Sequence, residues 1–101
     1  EGGDADAQYE LGAMLRSGIG VEKNAETAVL WFRLAADQRH AEAQYQLGKA
    51  YYDGGLTHQD NKAATHWLAL AVDRGHEQAA EVLQQCQTAL NDETEEHPTL
   101  A

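Results

Sequence analysis

Five histidines and one cysteine are the side chains best equipped for reaction chemistry in this 101-residue sequence. Histidine titrates near neutral pH and ligates metals, so His40, His58, His66, His76 and His97 are the first candidates. Their spacing argues against both uses. No H-x-x-x-H or H-E-x-x-H pair exists to set two rings on one helical turn. His40 and His76 stand 36 residues apart at equivalent turns of a repeated pattern, too far to share an ion. They read as solvated or helix-capping. Cys86 is the only cysteine, which rules out an internal disulfide or a cysteine-based zinc site within these residues. On a helix it reads as semi-buried packing rather than a nucleophile. Asp73 and Glu77 come nearest to a carboxylate pair, but they flank a helix junction and are expected to face solvent. No G-x-S-x-G, P-loop or G-x-G-x-x-G occurs, and Gly18-Ile19-Gly20 is explained by a turn. The expectation is a non-enzyme with no metal and no cofactor.

Binding is the remaining chemistry. Tyr9, Tyr45 and Tyr52, with Arg16 and Lys49, form a set suited to gripping an extended peptide or a helix, since amphipathic aromatics dominate interaction hot spots. The alternative for Tyr9 and Tyr45 is packing between neighbouring helices. Seventeen acidic residues against seven basic ones give a net charge of -10. Such a surface repels phosphate backbones and anionic headgroups, so nucleic acid is not an expected partner and a basic or mixed peptide is. No apolar run reaches the roughly 20 residues a membrane span needs, so direct membrane insertion is not expected.

The elements that hold these side chains come from an internal repeat. Shifted by 36, Ala5, Ala7, Gln8, Tyr9, Leu11 and Gly12 meet Ala41, Ala43, Gln44, Tyr45, Leu47 and Gly48. Gly18 meets Gly54, Ala28 meets Ala64, and Trp31, Leu34, Ala35, Asp37 and His40 meet Trp67, Leu70, Ala71, Asp73 and His76. Thirteen of 36 positions agree without a gap, which marks a duplicated structural unit. Each copy reads as two helices. Residues 5–17 place Ala7, Leu11, Met14 and Leu15 on one apolar face, and Gly18 and Gly20 end the helix by permitting positive φ. Asn24, and Asp60 in the second copy, are N-caps. Residues 25–37 turn Ala28, Trp31, Phe32 and Ala35 inward. The second copy follows with helices over 41–53 and 61–74, and a third start over 77–90 reads as a capping helix, because Glu81 and Gln84 replace the tyrosine and glycine. Residues 91–101 read as a disordered acidic tail able to steer a basic partner. Gly12 and Gly48 fall mid-helix, where glycine costs roughly 1 kcal/mol against alanine. Close approach of a neighbouring helix is the expected compensation, with Ala28 and Ala64 opposite and Trp31 and Trp67 one turn on.

These residues resemble the Sel1-like repeat, a relative of the tetratricopeptide repeat. The first copy matches its pattern at Ala5, Ala7, Gln8, Leu11, Gly12, Gly18, Gly20, Val21, Ala28, Trp31, Ala35 and Ala36. The second matches at Ala41, Ala43, Gln44, Leu47, Gly48, Tyr51, Gly54, Asp60, Ala64, Trp67, Ala71 and Gly75. Leu15 replaces the family's tyrosine and Asn24 its aspartate, and the second copy carries Gly54-Gly55-Leu56-Thr57 where the first has a G-x-G-V loop. The resemblance implies an all-α fold, an α-solenoid of antiparallel helix pairs, with repeats over 5–40 and 41–76. Residues 1–4 are then a repeat junction or an expression remnant, and the remainder of a longer repeat protein is expected to precede them. In such stacks the first helix of each pair lines a concave groove, here with Asp6, Tyr9, Ala13 and Arg16, then Glu42, Tyr45, Lys49 and Tyr52, then Gln78, Glu81 and Gln85. The implied function is a protein–protein interaction scaffold or adaptor that takes a protein or peptide on that surface. A purely structural C-terminal cap of a longer array, with no ligand of its own, is the alternative. The resemblance fits a bacterial protein of the cell envelope or cytoplasm.

Overall fold

The computed structural model describes residues 4–20, 22–54 and 59–95. Five helices follow in order: α1 (Ala5–Ser17), α2 (Ala25–Asp37), α3 (Ala41–Asp53), α4 (Asn61–Asp73) and α5 (Glu77–Glu95). No strand occurs among the described residues. Each helix packs on the next, α3 also touches α5, and the molecule measures 54 × 28 × 20 Å. It is an all-α solenoid of two helix pairs and a final helix.

The helices start and stop for local reasons. Asp4, Asn24 and Asp60 lend side-chain oxygens to the first free amides of α1, α2 and α4. His40 and His76 cap α3 and α5 with ring nitrogens instead. Gly18 and Gly54 end α1 and α3 in the left-handed region, at φ 79° and 72°. The turns after α2 and α4 also need a left-handed residue. Gly75 supplies it at φ 88°, but the equivalent place is taken by Arg39 at φ 70°, where a side chain costs roughly 1 kcal/mol.

Inside each pair one contact dominates. A methyl group added at Gly48 would lie 2.6 Å from Leu68 Cγ and 3.2 Å from the Ala64 carbonyl oxygen. At Gly12 it would lie 2.9 Å from Phe32 Cδ1 and 3.2 Å from the Ala28 oxygen. The space over the glycines is thus filled by Phe32 and Leu68. Trp67 turns the other way and joins Ala35, Ala36, Ala43 and Leu47 in the core between the pairs. A second core joins Tyr45, Ala64, Leu68 and Ala71 to Ala79 and Cys86 of α5.

α5 continues through Glu95, five residues past Leu90, where the sequence reading ended the helix and began a tail. Asn91–Glu95 contains neither proline nor glycine, so nothing interrupts the intrahelical hydrogen bonds. The rest of that tail, His58, His97 and the Gly55–Thr57 turn lie outside the described residues.

Candidate interaction face

The first helices α1, α3 and α5 carry a connected set of polar and aromatic side chains. His40 follows α2, and its Nδ1 accepts the Ala43 amide hydrogen at 3.1 Å. A backbone N–H can only donate, so Nδ1 is unprotonated and Nε2 carries the hydrogen. Nε2 donates to Asp6 Oδ1 at 2.8 Å, and the ring stacks on Tyr9 at 5.0 Å between centroids. The second copy repeats the arrangement. His76 Nδ1 accepts from Ala79 at 3.1 Å, Nε2 donates to Glu42 Oε1 at 2.7 Å, and the ring stacks on Tyr45 at 4.4 Å. Each unit therefore ties one first helix to the N-terminus of the next.

Glu42 accepts hydrogen bonds from two sides. Gln46 Nε2 donates to its other oxygen at 3.0 Å, and Arg16 of α1 donates to Gln46 Oε1. An unbroken path of hydrogen bonds runs from Arg16 through Gln46 and Glu42 to His76 and the start of α5. Burial alone raises the Glu42 carboxyl, but the hydrogen bonds from Gln46 and His76, with charge interactions with both histidines, outweigh it and hold the group below its ordinary value. Tyr9 is shifted up, first by burial and then by the Glu42 carboxylate beside it.

This geometry divides the five candidate binding residues. Tyr9 is half-buried against His40 and Phe32, and Tyr45 is 9% exposed beneath His76. Arg16 is held by Gln46 and lies over the Phe32 ring at 5.7 Å. Lys49 is exposed. Tyr52 is half-buried and, with Glu81, Gln84, Gln85, Thr88 and Ala89, lines an open hollow of about 610 Å³ between α3 and α5. Of the three tyrosines, Tyr52 is the one that lines this hollow. The six repeat positions lie in the packing: Gly12, Ala28, Gly48 and Ala64 within the pairs, Trp67 between them, and Trp31 half-buried at the outer side of α2.

Sequence reasoning missed the carboxylate partners of the capping histidines. A signal was available, because an acid stands 34 residues before each histidine in both copies, Asp6 before His40 and Glu42 before His76. It also missed the buried glutamines: Gln8 accepts from Gln38 Nε2 at 2.6 Å, and Gln44 donates to the Ala36 carbonyl at 3.2 Å. Cys86 is fully buried, and burial pushes its thiol up to about 11, so it is protonated and inert at neutral pH. Among the described residues no three His, Cys, Asp or Glu side chains are grouped to hold a metal. None of the described helices is long and apolar enough to cross a membrane.

The Sel1 repeat family model matches residues 5–40 and 41–76. Among solved structures, a Sel1 repeat protein from Oxalobacter formigenes is 35% identical with a TM-score of 0.78, over 82% of this chain and 62% of that one. A protective antigen present in uropathogenic Escherichia coli strains, displaying an SLR fold, is 25% identical with a TM-score of 0.63, over 98% of this chain and 27% of that one. The chain thus spans less than two thirds of either relative. Among curated proteins none matches.

Proposed function

The chain belongs to the Sel1 repeat family, and from that premise we propose that it is a scaffold segment holding a peptide or helix on its first-helix face. Sel1 repeats generally mediate protein–protein interaction and form a non-catalytic scaffold family. The observation that supports the reading here is the hollow between α3 and α5, which Tyr52 lines together with the hydrogen-bonding side chains of Glu81, Gln84, Gln85 and Thr88. Tyr9, Tyr45 and Arg16 support that face from beneath, since their rings and guanidinium are already engaged. Lys49 and Tyr52 are then the residues that meet the ligand. With a net charge of -10 the chain favours a basic or mixed peptide. The test is selection of binding peptides from a displayed library with the whole chain, followed by affinity measurement. Tyr52→Ala is expected to weaken the selected peptides about tenfold or more while changing stability by about 1 kcal/mol or less. Selected peptides that bind the variant unchanged overturn the assignment.

A second reading, a structural end segment of a longer array, rests on a different observation. Met14, Ile19, Leu30 and Leu34 are the exposed large hydrophobics among the described residues, and all lie in the first pair. Leu70, the counterpart of Leu34, is packed into the core between the pairs. On this reading another helix pair covers the outer face of α1 and α2, while α5 closes the opposite end. Fusing a further copy of residues 5–40 in register ahead of Ala5 is expected to raise the melting temperature. An unchanged melting temperature counts against it.

A further inference from the structure

The two histidine units repeat their geometry too closely for the ring state to be incidental. In each, a neutral Nε2–H tautomer is demanded from both sides: a carboxylate accepts from Nε2, and a backbone amide donates to Nδ1. Neither partner can reverse its role. A second proton can enter only at Nδ1, where it meets the Ala43 or Ala79 N–H head-on. The cap is then lost, and the positive ring sits at a helix N-terminus, the end that disfavours cations. On the other side, the bond to Asp6 or Glu42 gains a charge on the donor, becomes an ion pair and persists.

We propose that His40 and His76 are proton-operated clasps: neutral, each pins one first helix to the next, and protonated, each releases the helix that follows while keeping the carboxylate behind. The groups facing His40 are Asp6 and Tyr9 of α1 and, at longer range, Glu42 of α3. Those facing His76 are Glu42 and Tyr45 of α3. Arg39, Arg74 and Glu77 stand in or beside the same turns and are exposed. The two clasps differ in shielding. The His40 and Asp6 side chains are 16% and 80% exposed, those of His76 and Glu42 11% and 36%. Acid therefore loosens the joint between turn and helix at two places, and with it the angle between successive first helices. This holds whether or not the face binds a peptide.

The test is a titration of the whole chain, isotope-labelled, from about pH 8 to about pH 5, the range in which histidine changes charge. Imidazole nitrogen signals report each ring, and hydrogen exchange reports the amides. At neutral pH both rings are expected as the Nε2–H tautomer. As each ring is protonated, its own amide, Ala43 for His40 and Ala79 for His76, exchanges about tenfold faster relative to that of mid-helix Ala64. His76→Asn keeps a capping acceptor but cannot titrate, so the Ala79 response disappears while that of Ala43 remains. Glu42→Gln removes the carboxylate titration and leaves the Ala79 response in place. An Nδ1–H tautomer at neutral pH overturns the proposal. So does ring protonation without change at Ala43 and Ala79, or an Ala79 response that survives His76→Asn or vanishes in Glu42→Gln.

Discussion

Gly12, Ala28 and Phe32 of the first helix pair are as buried as Gly48, Ala64 and Leu68 of the second. Ala7, Leu11, Trp31 and Leu34 are not as buried as Ala43, Leu47, Trp67 and Leu70. Ala43 and Leu47 are wholly shielded and Trp67 is 8% exposed, whereas Ala7 is exposed, Leu11 and Trp31 are half-buried, and Leu34 is 47% exposed. The first group makes contacts inside a pair. The second makes contacts across pairs, and Ala35 and Ala36 of α2 supply the cover that α3 and α4 receive. One sequence word therefore has two energetic values, set by whether a neighbour lies on its outer side.

The two pairs are expected to differ most at their leucines. Leu47→Ala, in a fully closed site, is expected to cost about 3 kcal/mol and Leu11→Ala about 1 kcal/mol, measured by denaturant unfolding. Equal costs would mean that burial between the pairs does not set their value. The glycines come next. Gly48→Ala drives a methyl group onto the branch carbon of Leu68, while Gly12→Ala meets the edge of the Phe32 ring. Overpacking outweighs the gain in helix propensity, and net losses of about 2 and about 1 kcal/mol are expected. Because these are contacts inside a pair, the two glycines should differ less than the two leucines.

A smaller effect of opposite sign is expected at the turns. Arg39→Gly relieves a left-handed arginine and should stabilise the chain by about 1 kcal/mol, while Gly75→Ala should lose about as much. A destabilised Arg39→Gly variant would show that the arginine side chain contributes more than its backbone costs. The smallest effect concerns acid. Glu42 is held below its ordinary value of 4.5 when folded, so its stabilisation is present above that value and lost as pH falls through the lower folded one. Glu42→Gln should flatten the pH dependence of the melting temperature on that limb. Asp6→Asn, at an 80% exposed carboxylate, should change stability less.

Much of the interaction face was legible in part only. Asp6, Glu42, Tyr9 and Tyr45 stand at the positions that a first helix turns toward a groove, and their types suggested a ligand. What they touch is this chain's own histidines, because a period of 36 brings the turn after one pair back beside the first helix of that pair. Tyr52 escapes that fate. Its neighbours across the hollow come from α5, where Glu81, Gln84 and Gln85 are polar and exposed. The end of α5 differs from the sequence expectation for another reason. Acidic composition argued for a tail at 91–95, yet residues that lack a helix breaker continue a helix already nucleated by packing.

The sequence by itself determined what local chemistry controls: five helix starts, the glycine and asparagine or aspartate stops and caps, the spacing of small residues that lets two helices close, and the duplication. Those follow from backbone preference and from one residue's nearest neighbours along the chain. Tertiary structure alone decided which equivalent residues are core and which are surface, which carboxylate the rings of His40 and His76 meet, and which of Tyr9, Tyr45 and Tyr52 lines the hollow beside α5. Each of these depends on atoms roughly one repeat away, and identical words acquire different surroundings when a neighbouring pair stands on one side of them only.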